Sequence, residues 1–237
     1  MSQRSDFVVV ICHGSFHTPA PYVPLMEALQ ARGIAAYCPQ LPTSDLARLN
    51  VGDVNNPDFN RELPAGGYPQ GEEAAETVLA VLKPLVEAGK GPPRRPLVRR
   101  LGGHRERSSV TTRPPYMTEH KHGLLTLVDE ERYLFNCLDV ADAKKWAATL
   151  TASPDLTTKL KNDAYAALPC GYLVLDQDRM IPRELQEHMI RLQASKTGDF
   201  TVYHCPADHS PQLSWIQGVV DTAVDFVGKI KTGQIQK

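Results

Sequence analysis

The chain has 237 residues, a formal net charge of -1, 42% hydrophobic residues and 22% charged ones. That length fits a single α/β domain over 1–237, and the near-neutral charge gives no global pull toward nucleic acid or an anionic membrane. The scattered cysteines Cys12, Cys38, Cys137, Cys170 and Cys205 form no Cys-x-x-Cys pair, which argues against a zinc site or a disulfide framework and, with no apolar run of membrane-helix length and no signal-peptide core, predicts a soluble cytoplasmic protein.

Phe7 to Cys12 is a continuous apolar run ending at Gly14 and predicts a buried parallel strand. Pro24 to Arg32 places Leu25, Met26 and Leu29 at helical spacing, with Gly33 as the stop. Ile34 to Cys38 predicts a second strand, and the polar stretch Asp45 to Gln70 a long surface loop. Gly71 to Ala88 is strongly amphipathic and predicts a helix. Beyond Lys90 the composition changes. Seven of the fifteen arginines fall between Arg94 and Arg113, a stretch without aromatics, Ile or Ala. Order is expected to return at Tyr116, followed by helices over Val140 to Leu150 and Asp155 to Leu168. Then come a strand over Gly171 to Leu175, a helix over Pro182 to Leu192, a strand over Phe200 to His204 and a closing helix over Trp215 to Ile230. Strands alternating with helices predict a doubly wound, mostly parallel sheet.

In such sheets, sites form at the carboxyl ends of strands. His13-Gly14-Ser15 follows the first strand, Asp178 follows the strand ending at Leu175, and His209 follows the strand ending at His204. An acid that orients an imidazole, an imidazole that takes a nucleophile's proton and a turn that aims a backbone N–H at an oxyanion make the working parts of a serine hydrolase. Asp176 competes with Asp178 for the acid, and Asp208 competes weakly. Cys12 reads as an inert core thiol. His17, His104, His120, His122, His188 and His204 show no metal-like spacing, so no metal and no cofactor are expected.

These motifs resemble the α/β-hydrolase superfamily, and most closely its branch of methyl-ester esterases and hydroxynitrile lyases. The resemblance rests on Val9-Val10-Ile11-Cys12-His13-Gly14-Ser15-Phe16-His17-Thr18-Pro19 and Tyr37-Cys38-Pro39-Gln40-Leu41-Pro42. It continues through Phe135-Asn136-Cys137-Leu138-Asp139, Asp176-Gln177-Asp178-Arg179-Met180-Ile181-Pro182 and Asp208-His209-Ser210-Pro211-Gln212-Leu213-Ser214. It implies that Asp178 is the triad acid, His209 the base and the Ser15 N–H an oxyanion donor. It also implies a small helical cap over about 115–168 and a small ester or lactone as substrate, with ester hydrolysis and C–C cleavage sharing one constellation. Neither a nucleic-acid nor a membrane partner is implied.

The family's Gly-x-Ser-x-Gly elbow is missing. Its place is taken by Gly91-Pro92-Pro93-Arg94-Arg95-Pro96-Leu97-Val98-Arg99-Arg100-Leu101-Gly102-Gly103. The further buried strand that the family places between elbow and cap is also not found. Three accounts remain open. Read one base out of frame, Gly91 to Leu101 permits Val-Leu-Leu-Val-Gly-His-Ser-Tyr-Gly-Gly, a strand running into an elbow with the serine at the position of Leu97. Alternatively, the protein has kept the scaffold and lost hydrolysis, as a pseudoenzyme or small-molecule binder. The third account, a basic segment for nucleic acid or an acidic partner, ranks last because no aromatics are interleaved. On any account, segment 91–115 is expected not to form a regular buried strand, since Pro92, Pro93 and Pro96 remove ladder donors and the arginines resist burial.

Overall fold

The computed structural model describes residues 5–88, 97–100, 113–158 and 164–235. They fall into two compact units, one drawn from Met1–Asp129 with Ala148–Lys159 and one from Glu130–Ala147 with Leu160–Lys237.

The first unit begins with β1 (Val8–Cys12), whose Val9, Val10 and Ile11 are all buried. Successive strand side chains point to opposite faces, so this strand is covered on both, as its unbroken apolar run requires. Helix α1 (Val23–Ala31) buries Leu25 and Leu29 and leads through Gly33, at φ 74°, into β2 (Ala35–Tyr37). β2 pairs parallel with β1 in the register Val8↔Ala35. Helix α2 (Gly71–Ala88) buries Val78 and Leu82 against Val10 and Leu41. Each such side chain removed from water contributes about 1.5–3 kcal/mol. The loop between β2 and α2 is irregular apart from 3-10 turns at Pro42–Ser44 and Leu46–Arg48.

Residues 97–100 correct the sequence expectation. Leu97–Arg100 is a strand, β3, paired parallel with β1 from Val9↔Leu97 to Cys12↔Arg100. The three prolines all lie upstream of Leu97, so every residue of the strand keeps its N–H for the ladder. Backbone pairing needs those groups and does not by itself require the arginine heads to be buried. The first sheet thus has the order β2-β1-β3.

Segment 115–168 carries more strand than a helical cap implies. β4 (Met117–Glu119), β5 (Leu124–Leu127) and β6 (Ser153–Pro154) form an antiparallel sheet within the first unit. Its Leu124 packs with Leu49, Val51 and Ala152. Arg113 ties it together through Glu119 at 3.0 Å and Asp155 at 2.9 Å. A helix from Asp155 is not formed. Asp155 instead donates its N–H to Gly123 O and continues the β6 edge, and among the described residues of 155–168 helix is found at Ala164–Ala167. Among the described residues, no parallel strand lies between β3 and the sheet of the second unit.

The second unit contains α3 (Glu130–Tyr133), α4 (Val140–Ala147), α5 (Ala164–Ala167), β7 (Gly171–Leu175), α6 (Arg183–Thr197), β8 (Thr201–Cys205), α7 (Pro211–Ser214) and α8 (Ile216–Lys231). β7 and β8 pair in parallel from Gly171↔Thr201 to Leu175↔Cys205. α8 buries Val219, Val220, Phe226 and Val227. Gly171 permits the close approach of Phe226, because a Cβ there would stand 3.1 Å from the ring.

Candidate active site

The parallel register of β7 and β8 brings Asp178 and His209 together within the second unit. The ladder continues past the strand ends, with the N–H of Asp176 donating to Cys205 O at 2.9 Å and that of Gln177 to Ala207 O at 3.0 Å. Two loops zipped in this way bring the third residue after β7 beside the fourth after β8. Asp178 Oδ2 and His209 Nδ1 stand 2.8 Å apart. A carboxylate has no proton to offer, so Nδ1 donates and Nε2 carries the free lone pair. Asp178 is nearly enclosed, with its side chain 2% exposed against 27% for His209. Its other oxygen accepts the N–H groups of Met180 at 2.8 Å and Ile181 at 2.9 Å. The Asp178 carboxylate is therefore fixed on three sides, while the His209 ring stays partly exposed.

The rival acids are engaged elsewhere. Asp176 Oδ1 faces His204 Nδ1 at 3.4 Å and Arg183 at 3.3 Å on the surface. Asp208 is wholly buried. It accepts from Ser210 N at 3.0 Å, Ser214 Oγ at 2.8 Å and Cys137 N at 2.8 Å. That carboxylate ties the loop carrying His209 to α7 and to the segment before α4. The same segment reaches the acid's loop, where Asn136 Nδ2 donates to Gln177 O at 3.2 Å. Phe135 to Asp139 carried part of the family resemblance in the sequence, with no role attached to it. In the structure Leu134 and Phe135, just before Asn136, are fully buried and anchor it.

The first unit places Ser15 after the carboxyl end of β1, exposed in a tight turn. The turn is closed by the His17 N–H on Gly14 O at 3.3 Å and puts Phe16 at φ 67°. A positive φ suits glycine at this position of a type II turn and is strained for a bulky residue. Burial of the Phe16 ring and a 2.7 Å hydrogen bond from Thr151 N to Phe16 O hold it there. The Gly14 N–H is taken by the Tyr22 hydroxyl at 3.1 Å, whereas Ser15 N donates to no described residue. His13 has a structural task. Its Nε2 accepts from Leu41 N at 2.9 Å, its Nδ1 donates to Gly14 O at 3.1 Å, and burial lowers its pKa.

Leu97, the position where the shifted frame would put a serine, lies opposite Val9. That is the first residue of β3, at the end away from the strand's carboxyl terminus. Ser108, Ser109 and the stretch after Arg100 lie outside the described residues. Among the described residues no group of His, Cys, Asp and Glu has the geometry to hold a metal ion, and no helix is long and apolar enough to cross a membrane.

Residues 9–222 match the model of the alpha/beta hydrolase family. No curated protein matches the chain by sequence. Among solved structures, polyneuridine aldehyde esterase is similar at 14% identity and a TM-score of 0.66, covering 95% of this chain and 100% of its own. A pyrethroid hydrolase from Sphingobium faniae JZ-2 is similar at 14% identity and a TM-score of 0.64, covering 93% and 96%. The methylesterase MES16 from Arabidopsis is similar at 13% identity and a TM-score of 0.62, covering 94% and 99%.

Proposed function

The chain belongs to the alpha/beta hydrolase family, and from that premise we propose that it carries the acid–base half of a serine esterase for small esters or lactones. Asp178 is the acid, His209 the base and the Ser15 N–H an oxyanion donor. The observation that carries this reading is the 2.8 Å bond from His209 Nδ1 to Asp178 Oδ2, which leaves Nε2 as a base. With a serine in reach, Nε2 takes the hydroxyl proton as the oxygen attacks the ester carbon, then returns it to the departing alcohol. Asp178 stabilises the imidazolium between those steps. Water repeats the cycle on the acyl-enzyme. Three of the similar structures are named as esterase or hydrolase, which supports an ester-like small-molecule substrate. The segment 115–168 is assigned as the cap, and the scattered cysteines, with no Cys-x-x-Cys pair, support a reducing, cytoplasmic compartment.

Without Gly-x-Ser-x-Gly, this chain is impaired in acyl-enzyme formation. A second reading, a pseudoenzyme that binds small molecules, is favoured by the same absence. The test is fluorophosphonate labelling with a nitrophenyl-acetate assay, on this chain and on a version with residues 91–100 exchanged for Val-Leu-Leu-Val-Gly-His-Ser-Tyr-Gly-Gly. The exchanged version labels and turns over, and His209→Ala abolishes both. Strong labelling of a serine in the unaltered chain, lost in His209→Ala, would overturn the impairment.

A further inference from the structure

We propose that Gln186 is the positioning residue of the acid, a side-chain clamp that fixes where the Asp178 carboxylate meets His209. The proposal rests on the reading of Asp178 and His209 as an acid–base pair. Gln186 lies in the first turns of α6 and is 1% exposed. A buried primary amide must satisfy two donors and an acceptor. Gln186 does so entirely on backbone. Its Oε1 accepts from Leu175 N at 2.9 Å, and its Nε2 donates to Leu175 O at 3.0 Å and to Ile181 O at 2.8 Å.

Leu175 is the last residue of β7, and Ile181 closes the loop that carries Asp178. One side chain therefore holds both ends of the segment 175–181. In a strand, successive residues turn their N–H and C=O to opposite edges. Asp176 gives its N–H to β8 through Cys205, so Leu175 faces the other edge. There the Gln186 amide pairs with it as a neighbouring strand would.

The clamp reaches the acid through one further peptide. Gln186 fixes the carbonyl of Ile181. The N–H of the same residue donates to Asp178 Oδ1, and the other carboxylate oxygen meets His209 Nδ1. The carboxylate is thus aimed by backbone groups that Gln186 itself holds. If that amide is replaced, the loop keeps its covalent path and loses the constraint that sets the angle of the carboxylate. Asp178 also spans these two residues, its N–H donating to Leu175 O at 3.3 Å and its Oδ1 accepting from Ile181 N at 2.9 Å, so the Gln186 amide and the carboxylate brace the same loop from two sides. Without the clamp, the 2.8 Å bond keeps the Met180 N–H and loses the fixed position of the Ile181 one, while β7 keeps its pairing to β8.

The test reads the pair directly and needs no nucleophile. The Nδ1 proton of a histidine bound to a carboxylate gives a far-downfield NMR resonance that exchanges slowly with water. Asp178→Asn identifies that resonance for His209. In Gln186→Leu and Gln186→Met the expected result is an upfield move and exchange faster by about tenfold, the scale of one lost buried hydrogen bond. Gln186→Glu keeps the acceptor for Leu175 N but sets carboxylate oxygen against two carbonyls, and the same loss is expected. Val174→Ala, a cavity on the same strand, controls for destabilisation and leaves the resonance in place. If one variant fails to fold by circular dichroism, the others carry the comparison. An unchanged resonance in any folded Gln186 variant overturns the proposal. A resonance lost equally in Val174→Ala reduces Gln186 to a structural residue and overturns it as well. Absence of esterase activity in the chain bears only on the preceding proposal, because this readout involves no turnover.

Discussion

Replacing Asp208 separates two kinds of buried carboxylate in the second unit. Its oxygens take three donors, Ser210 N and Ser214 Oγ on one and Cys137 N on the other. Asp208→Ala strands all three, but unequally. Ser214 Oγ can turn to Ser210 O, already 3.2 Å away. Cys137 is exposed, so water can reach its N–H in part. Ser210 is fully buried, and its orphaned N–H costs about 1–3 kcal/mol. With a smaller contribution from Cys137, the expected loss for Asp208→Ala is about 2–4 kcal/mol. Asp208→Asn turns its oxygen to Ser210 and its NH2 to the wetter Cys137, so its loss is about 1 kcal/mol. Urea unfolding at neutral pH measures both. A loss well below 1 kcal/mol for the alanine variant, or equal losses for the two, would refute this partition.

The single change Leu97→Ser is expected to leave nitrophenyl-acetate turnover at the level of the unaltered chain, because Leu97 opens β3 opposite Val9; a gain of activity from that change alone would show otherwise. The folded-state pKa of His13 is lowered by burial, so the unfolded chain binds the proton first and stability falls as pH drops below the ordinary value of 6.5. That loss stops growing below the folded pKa, and His13→Gln shows a shallower acid slope in urea midpoints between neutral pH and that point. The Cys38 thiol is pushed up to about 12 by burial and by the neighbouring Cys12. At pH 8 its thiolate fraction is about 10⁻⁴, so iodoacetamide modifies exposed Cys137 well before Cys38 in the native chain, as peptide mapping after a short pulse will show.

Most of the frame was legible because it depends on local signals. The run Val8 to Cys12, the spacing of Val78 and Leu82, and the break at Gly33 each announce an element through period or chain-breaking chemistry. That Asp178 and His209 would meet was legible because both follow the carboxyl ends of strands. The rest depended on pairing partners that lie far apart in sequence. Ser153 and Pro154 carry no strand signal of their own and become β6 only because β5 lies beside them. Leu97 to Arg100 carries a charge pattern hostile to a core and still pairs with β1. Gln186 gave no signal either. A single polar residue on a helix reads as surface until its three backbone partners, Leu175 twice and Ile181, are known.

Every hydrogen bond that holds Asp178, His209 and Asp208 has both ends within residues 136–214. Among the described residues, none reaches Leu97–Arg100. The pairing of Asp178 with His209 is therefore self-contained: the bonds that set its geometry are the same ones that hold β7, β8 and α7 together, so this geometry lasts as long as that part of the fold does.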